Sequence, residues 1–294
     1  MHIVNVNNLR ISITQRCNMN CIYCHHEGEM GNGKREISAG DFERTLKIAS
    51  ELGIKKLKIT GGEPLMREDV TILVRIAKRY MRDISMTTNG SLLHRYAFDL
   101  KDAGLNRVNV SVDSLKRERY RAITSGNLDK VIKGIESAGN AGIQPIKVNM
   151  VVLKGVNDDE VWDLVDFSRK NNCVLQLIEL EATREGEEEE FYKRYHYDLK
   201  GVENELASRA ERIEVRDMHH RRKYFLDGCE VEVVRPMHNT EFCSNCTRLR
   251  VTSEGKLKPC LLGSDEFDLP VNEADARKEF IKAIESKKPY WGRE

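Results

Sequence analysis

The chain has 294 residues, of which 40% are hydrophobic and 32% are charged, as is typical of a globular protein. Its 48 Lys and Arg nearly balance its 47 Asp and Glu, and the resulting net charge of +1 disfavours a dedicated DNA- or RNA-binding protein. The first ten residues lack the apolar core of a signal peptide, and no run of 18 apolar residues occurs. We therefore expect a cytoplasmic protein without a membrane partner.

Short β-branched runs alternate with helical patterns through the first 180 residues. Six strands are predicted, at residues 9–14, 56–60, 83–88, 107–112, 146–153 and 174–180. Helical patterns lie at residues 38–52, 68–81, 128–141 and 158–171. This alternation indicates a parallel sheet wound by crossover helices, either doubly wound or closed into an incomplete barrel.

The character of the chain changes after residue 180. An acidic run at residues 185–190, which we interpret as solvated, is followed by an aromatic and basic stretch and a helical pattern. Two strand-like runs, at residues 213–218 and 231–235, then surround a basic cluster at residues 219–223. The sequence therefore predicts two domains, comprising residues 1–182 and 183–294.

Three cysteines, which we call the first cysteine set, follow the first predicted strand: Cys17, Cys21 and Cys24. Clustered cysteines in a reducing compartment indicate metal or redox chemistry rather than disulfides. Structural zinc sites use four ligands, whereas a 4Fe-4S cluster held by three thiolates has one iron open to another ligand. A zinc site completed by His25 or His26 is the alternative.

A second cysteine set lies near the C-terminus and consists of Cys243, Cys246 and Cys260. It again lacks a fourth cysteine in a paired spacing, which suggests a second cluster with an open iron. The two remaining cysteines, Cys173 and Cys229, are expected to be buried apolar side chains.

The run CNMNCIYC at residues 17–24, followed by GGEP at residues 61–64, resembles the radical S-adenosylmethionine (SAM) superfamily. Within it, further motifs resemble the GTP 3',8-cyclase family of molybdenum cofactor biosynthesis. These motifs are Arg10, TTNG at residues 87–90, SVD at 111–113, KVN at 147–149 and CSNCTRLR at 243–250. The resemblance runs from about residue 9 to residue 262.

The resemblance implies an incomplete (β/α)6 TIM-type barrel with a small C-terminal iron–sulfur cluster domain. It implies two 4Fe-4S clusters, with SAM bound on the first cluster and contacted by Tyr23, Gly62 and Ser111. The motifs follow the C-terminal ends of predicted strands, where barrel enzymes carry their chemistry.

The resemblance also implies a GTP site built from several strands. The matching positions are Arg10, Lys58, Thr87, Lys147, Arg248, Leu249 and Arg250. Because the chain has no P-loop motif, cationic side chains must bind the triphosphate. The open iron of the second cluster would bind the guanine base.

The implied reaction begins when the reduced first cluster cleaves SAM to methionine and a 5'-deoxyadenosyl radical. This radical takes hydrogen from C3' of GTP, and the carbon radical attacks C8 of guanine. Uptake of one further electron and one proton then gives (8S)-3',8-cyclo-7,8-dihydroguanosine 5'-triphosphate. An electron donor is an implied partner, and the product passes to the next enzyme of the pathway.

Three features depart from the family pattern. Lys58 stands where arginine is common, Glu181 stands where many members have a SAM-contacting methionine, and the C-terminus lacks the Gly-Gly ending of many members. Two other interpretations remain open. One is a peptide-modifying radical SAM enzyme with an auxiliary cluster, and the other is a non-enzymatic iron–sulfur or zinc protein acting as an electron carrier or regulator.

Overall fold

A single eleven-stranded sheet organises the part of the chain that the computed structural model describes, residues 6–29 and 35–292. The strands are β1 Asn8–Ser12, β2 Lys56–Thr60, β3 Asp83–Thr88, β4 Arg107–Ser111, β5 Ile146–Val152, β6 Cys173–Glu179, β7 Arg212–Val215, β8 Arg222–Leu226, β9 Cys229–Val234, β10 Arg248–Val251 and β11 Leu257–Lys258. Their order is β11-β10-β1-β2-β3-β4-β5-β6-β9-β8-β7. The six predicted strands are confirmed as β1 to β6, which pair in parallel.

Ten α-helices accompany the sheet in the described residues. They are α1 Ala39–Glu51, α2 Val70–Lys78, α3 Leu93–Ala103, α4 Arg117–Thr124, α5 Leu128–Asn140, α6 Val161–Lys170, α7 Glu190–Tyr195, α8 Lys200–Arg209, α9 Thr240–Ser244 and α10 Glu273–Glu285. The four predicted helical patterns correspond to α1, α2, α5 and α6. Among these ten helices, none has the length and apolar character needed to cross a bilayer.

The two faces of the parallel strands have opposite chemistry because successive side chains of a strand point to opposite sides. One face carries apolar side chains such as Ile59, Met86 and Val110, which are fully buried in the hydrophobic core. The other face carries polar side chains such as Lys58 and Thr87, which line a cavity. The fold is therefore an α/β structure with a mostly parallel sheet, whose polar face is free for a functional site.

The C-terminal part of the described chain extends the same sheet rather than forming a sheet of its own. Strand β10 pairs in parallel with β1, and β9 pairs in parallel with β6, so both edges of the six-stranded core are covered. The predicted run at residues 231–235 corresponds to β9 and that at 213–218 to β7, whereas β8, β10 and β11 were not predicted. The domain boundary between residues 182 and 183 stays a prediction.

Helix α10 packs on α1, so a helix near the C-terminus contacts one near the N-terminus. Phe280 of α10 is fully buried in the core, and two ion pairs, Lys47–Glu273 at 2.9 Å and Arg277–Glu51 at 3.0 Å, border the contact. Because these pairs are exposed, most of the stabilisation should come from the buried ring.

We expect Phe280→Ala to lower the free energy of unfolding by about 3–5 kcal/mol, because it leaves a cavity under α10. The neighbouring Ile281 is 40% exposed, so Ile281→Ala should cost less than about 1 kcal/mol. Denaturant unfolding of the two variants measures the difference. Equal losses of unfolding free energy in the two variants would mean that burial of Phe280 does not hold α10 in place.

Candidate active site

A cavity of about 1380 Å³ lies against the polar face of the sheet, and all six cysteines of the two cysteine sets line it. Strands β1 to β6 and the C-terminal segment contribute side chains to its wall. The cavity therefore unites motifs that are more than 200 residues apart in the sequence.

The first cysteine set lies on the loop that follows β1. The Cys17 sulfur accepts a hydrogen bond from the Met19 amide at 3.4 Å and lies 3.9 Å from the Asn89 side-chain nitrogen. Such donors stabilise a thiolate, although burial, with smaller contributions from Glu63 and Cys24, raises the pKa of the metal-free Cys17 thiol. Within the described residues, no three His, Cys, Asp or Glu side chains converge on a single ion. A cluster does not need that convergence, because each thiolate binds a different iron.

Gly61 and Gly62 allow the loop after β2 to pack against the start of the cysteine loop. The Gly62 amide donates to the Thr14 carbonyl at 2.7 Å. A Cβ on Gly62 would lie 2.5 Å from the carbonyl oxygens of Gln15 and Arg16. The resemblance implies that Gly62 contacts SAM, whereas in the structure the atoms nearest to both glycines are protein backbone. Gly62 also lines the cavity, so its contact with SAM stays a prediction.

Glu63, which follows the glycine pair, connects the ends of β2 and β3. Its buried carboxylate accepts hydrogen bonds from the Thr88 hydroxyl at 2.7 Å, the Asn89 amide at 2.7 Å and the Leu65 amide at 3.0 Å. Burial outweighs these hydrogen bonds and raises the pKa of Glu63 to about 7. The glutamate of the GGEP run therefore has a structural role that its spacing alone did not reveal.

The three predicted SAM contacts, Tyr23, Gly62 and Ser111, line the cavity beside the first cysteine set. The Tyr23 hydroxyl donates to the Asp113 carboxylate at 2.6 Å, and the Val151 amide donates to the same group at 3.0 Å. Burial raises the pKa of Asp113 to about 6. Asp113 therefore holds the ring of Tyr23 in place at the cavity wall.

The second cysteine set lies in a more electropositive part of the cavity. The Lys287 ammonium group is 3.9 Å from the sulfur of Cys246. Although burial raises the pKa of Cys246, the charges of Lys287 and Arg248 lower it below the ordinary value for a thiol. This environment therefore favours the thiolate form at Cys246, whereas burial raises the pKa of Cys243.

The two remaining cysteines lie outside the cavity wall. Cys173 and Cys229 are 5% and 2% exposed and belong to the hydrophobic core, as expected. Burial raises the pKa of each thiol to about 11. They are therefore packing residues on the neighbouring strands β6 and β9.

The predicted GTP contacts are brought together with one exception. Arg10, Lys58, Thr87, Lys147, Arg248 and Arg250 all line the cavity. Leu249 lies between the two arginines of β10, but its side chain is fully buried in the core. The Leu249 side chain therefore faces away from the cavity, because alternate residues of a strand face opposite sides, and its assignment to the GTP site stays a prediction.

Arg10 and Arg250 lie side by side on β1 and β10, and Glu27 bridges them. Its carboxylate contacts the Arg10 guanidinium and lies 3.0 Å from Arg250. Burial alone would raise the pKa of Glu27, but the two arginines lower it to about 2. Glu27 was not singled out from the sequence, because nothing in its local pattern indicates two distant partners.

Two other predicted cations, Lys58 and Arg248, lie close together without a carboxylate partner of this kind among the described residues. The Lys58 ammonium donates to the neutral Asn109 side chain at 2.7 Å. Burial, together with Arg10 and Arg248, lowers the pKa of Lys58. Burial, together with the charges of Arg10 and Arg250, lowers the pKa of Arg248. A polyanionic ligand would relieve the repulsion among these cations.

The cavity wall carries more cationic side chains than those that the resemblance assigns to the GTP site. It includes twelve Lys and Arg but seven Asp and Glu. Those without a predicted role are Lys56, Arg107, Arg216, Arg221, Lys223, Lys287 and Lys288. Some of these cations could have been predicted from the sequence, because residues two apart in a strand, such as Lys56 and Lys58, face the same side of the sheet.

The three departures from the family pattern all lie at the cavity, Lys58 among the cations described above. Glu181 lines the wall, and its charge raises the pKa of Arg250, although burial and Arg10 lower that pKa overall. The C-terminal residues Tyr290 and Trp291 also line the wall, and the Trp291 ring lies 4.2 Å from that of His238. The last two residues of the tail lie outside the described residues.

We expect Gly62→Ala to displace the cysteine loop, because the new methyl group would meet two backbone carbonyls. The reconstituted variant should bind less iron than the wild type at the first cysteine set. Gly201 is exposed and has nothing within 4 Å of an added Cβ, so Gly201→Ala is the matched control. Normal iron content and normal SAM binding in Gly62→Ala would contradict this interpretation.

Comparison with known proteins identifies two family profiles in the chain. Residues 11–168 match the Radical SAM superfamily, and residues 173–292 match Molybdenum Cofactor Synthesis C. Among solved structures, Streptococcus suis SuiB bound to S-adenosylmethionine has a TM-score of 0.68 at 17% identity, covering 98% of this chain and 76% of SuiB. At that identity the likeness establishes the fold.

Two curated relatives are similar over nearly their whole length. A probable GTP 3',8-cyclase of Pyrococcus abyssi is 50% identical, with 97% of each chain covered. One from Methanothermobacter thermautotrophicus is also 50% identical, covering 97% of this chain and 96% of the relative. Taken with the cysteine-lined cavity, these matches show that the chain belongs to the radical SAM superfamily and, within it, to the GTP 3',8-cyclase family.

Proposed function

We propose how this chain converts GTP to (8S)-3',8-cyclo-7,8-dihydroguanosine 5'-triphosphate in the first step of molybdenum cofactor biosynthesis. One observation carries the proposal: both cysteine sets and the predicted GTP cations line one cavity of about 1380 Å³. Pockets for one small ligand usually measure roughly 300–1000 Å³. The larger volume supports the simultaneous presence of SAM and GTP.

The architecture proposed is an incomplete (β/α)6 TIM-type barrel with a C-terminal cluster domain. Six parallel strands, β1 to β6, support this architecture. The first cysteine set, Gly62 and Ser111 follow or end strands β1, β2 and β4 at their C-terminal ends. This is the end at which barrel enzymes carry their catalytic groups.

Two 4Fe-4S clusters are proposed, one on each cysteine set. The donor set fits, because three thiols per cluster leave one iron for a small-molecule ligand. The first cluster, when reduced, supplies the electron that cleaves SAM to methionine and a 5'-deoxyadenosyl radical, the species that takes hydrogen from C3' of GTP. Tyr23, Gly62 and Ser111 would orient SAM, and the second cysteine set would hold the iron that binds the guanine base.

The triphosphate would lie among Arg10, Lys58, Lys147, Arg248 and Arg250, with Thr87 adding a hydroxyl donor. These side chains come from β1, β2, β5 and β10, so they surround a ligand rather than forming a flat patch. Lys58 keeps the charge of the family arginine but lacks its two-pronged donor geometry. Fixed cations of this kind position C3' of the ribose near SAM and keep competing water away.

The reaction also needs an electron donor, and its product is taken up by the next enzyme of the pathway. The curated relatives favour the cyclase over a peptide-modifying enzyme or an electron carrier. The excess of cations in the cavity supports the same choice, since a peptide substrate would not require them.

The direct experiment is anaerobic reconstitution with iron and sulfide, followed by incubation with SAM, dithionite and GTP. Mass analysis of the nucleotide should find a product of the same mass as GTP but with different fragmentation, because cyclisation is an isomerisation. Formation of 5'-deoxyadenosine without a new nucleotide would contradict the proposed substrate.

The two clusters should have separable roles. The reconstituted protein should contain about eight irons, and replacing all of the second cysteine set with alanine should reduce this to about four. Cys21→Ala should abolish SAM cleavage, whereas Cys246→Ala should retain some uncoupled cleavage and lose cyclisation. Normal cyclisation by Cys246→Ala would show that the second set does not hold the substrate.

Replacing both Arg248 and Arg250 with alanine should weaken GTP binding and leave SAM binding nearly unchanged. Charge-assisted contacts contribute roughly 1.5–3 kcal/mol each, so GTP affinity should fall by about tenfold or more. Anaerobic titration with each ligand measures the two affinities, and Lys256→Ala, at the end of the same hairpin, is the control. Unchanged GTP affinity with intact clusters would exclude β10 from the triphosphate site.

A further inference from the structure

The basic cluster at residues 219–223 has no assigned role in the proposed SAM and GTP site. Its side chains alternate in position: His219, Arg221 and Lys223 line the cavity, whereas His220 and Arg222 are exposed and do not. Arg216, which precedes the cluster, lines the cavity as well. The cluster is therefore not simply a solvated surface, since three of its five side chains line the cavity.

We propose that Arg216 and Arg221 bind the triphosphate of GTP together with Lys147, as a second group of cations in addition to those on β1, β2 and β10. The inference rests on the proposed function and adds residues to its substrate site.

A buried carboxylate holds these three cations together. Glu232 of β9 is fully buried and contacts the Lys147 ammonium group. The Arg216 guanidinium donates to both of its oxygens at 2.9 Å, and the Arg221 guanidinium lies 3.5 Å away. Three cations share one carboxylate, so the group carries a net charge of +2 toward the cavity.

Lys147 connects this group with the substrate. It matches a GTP-binding position of the family and shares Glu232 with both arginines, so a phosphate within its reach is also close to theirs. Gln176 donates to Glu232 at 2.7 Å and so fixes the carboxylate from the neighbouring strand. Glu232 therefore acts as a positioning residue that orients cations from three parts of the chain.

The Arg221 guanidinium has unused hydrogen-bond donors. Its side chain is 9% exposed, and its Nε has no hydrogen-bond partner among the described residues. A guanidinium carries five N–H donors in a planar fork, and a single 3.5 Å contact with Glu232 uses few of them. A buried donor without a partner costs free energy, which a phosphate oxygen at this wall would recover.

A purely structural ion network is the competing explanation, and the number of phosphates on the ligand distinguishes the two. Cations that bind the distal phosphates affect GTP strongly and GMP little, whereas a damaged scaffold affects both nucleotides equally. Anaerobic equilibrium binding of GTP and of GMP to the reconstituted enzyme is therefore the measurement.

The variants are Arg221→Gln and Arg216→Gln, with Arg222→Gln, the exposed neighbour of Arg221 in sequence, as the control. Each of the two test variants should weaken GTP binding about tenfold or more, while GMP binding stays within about twofold. The control should bind both nucleotides normally. Arg216→Lys keeps a cation next to Glu232 but loses the fork, so it should give a smaller loss for GTP.

Normal GTP affinity, or equal losses for GTP and GMP, would overturn the inference. If Arg216→Gln does not fold, Arg221→Gln and Arg216→Lys carry the test, since both leave Glu232 paired with other cations. Wild-type enzyme that cyclises GTP while these variants bind it normally would refute only this inference. Wild-type enzyme that neither binds nor cyclises GTP would refute the proposed function itself.

Discussion

The pairing of β10 with β1 is the contact on which the site depends. The two strands run parallel with Arg10 opposite Arg250 and Leu9 opposite Leu249. In a parallel pair, opposite residues share a face, so both arginines line the cavity while both leucines enter the core. Because β10 lies between Cys246 and Cys260, the same pairing brings the second cysteine set to the cavity that the first set lines. Without it, the chain would have two separate cysteine-containing segments.

This arrangement concentrates positive charge in a region with little water, which is unfavourable in the absence of a ligand. Two carboxylates, the largely covered Glu27 and the fully buried Glu232, offset part of that cost, and each contacts more than one cation. The compensation is incomplete, since the pKa of Lys58 and that of Arg248 are still lowered by burial and by neighbouring cations. A site built in this way is organised before the ligand arrives, so a triphosphate can bind without reorganising the wall.

The parts of the fold that were predictable are those with a local signal. Strands β1 to β6 follow from β-branched runs between helical patterns, and the two cysteine sets follow from their spacing. Strands β8 and β10 were missed because their cavity-facing residues are charged, as in Arg222–Leu226 and Arg248–Val251. Glu27 and Glu232 were missed for a different reason: each has a partner more than 80 positions away, Arg250 and Lys147 respectively, which only the folded sheet brings close.

The loop after the first cysteine set also contacts the segment of the second. His26 and Glu27 have φ values of 49° and 56°, a left-handed conformation that is uncommon for residues other than glycine. Gly28 continues this conformation, and an added Cβ there would collide with the Leu261 carbonyl, next to Cys260. The turn therefore fits tightly between the two cysteine-bearing segments and directs the Glu27 carboxylate at Arg10 and Arg250. Backbone packing and charge pairing therefore act at the same short turn. This turn fixes the distance between the two proposed cluster sites and the position of the cations proposed to bind the triphosphate.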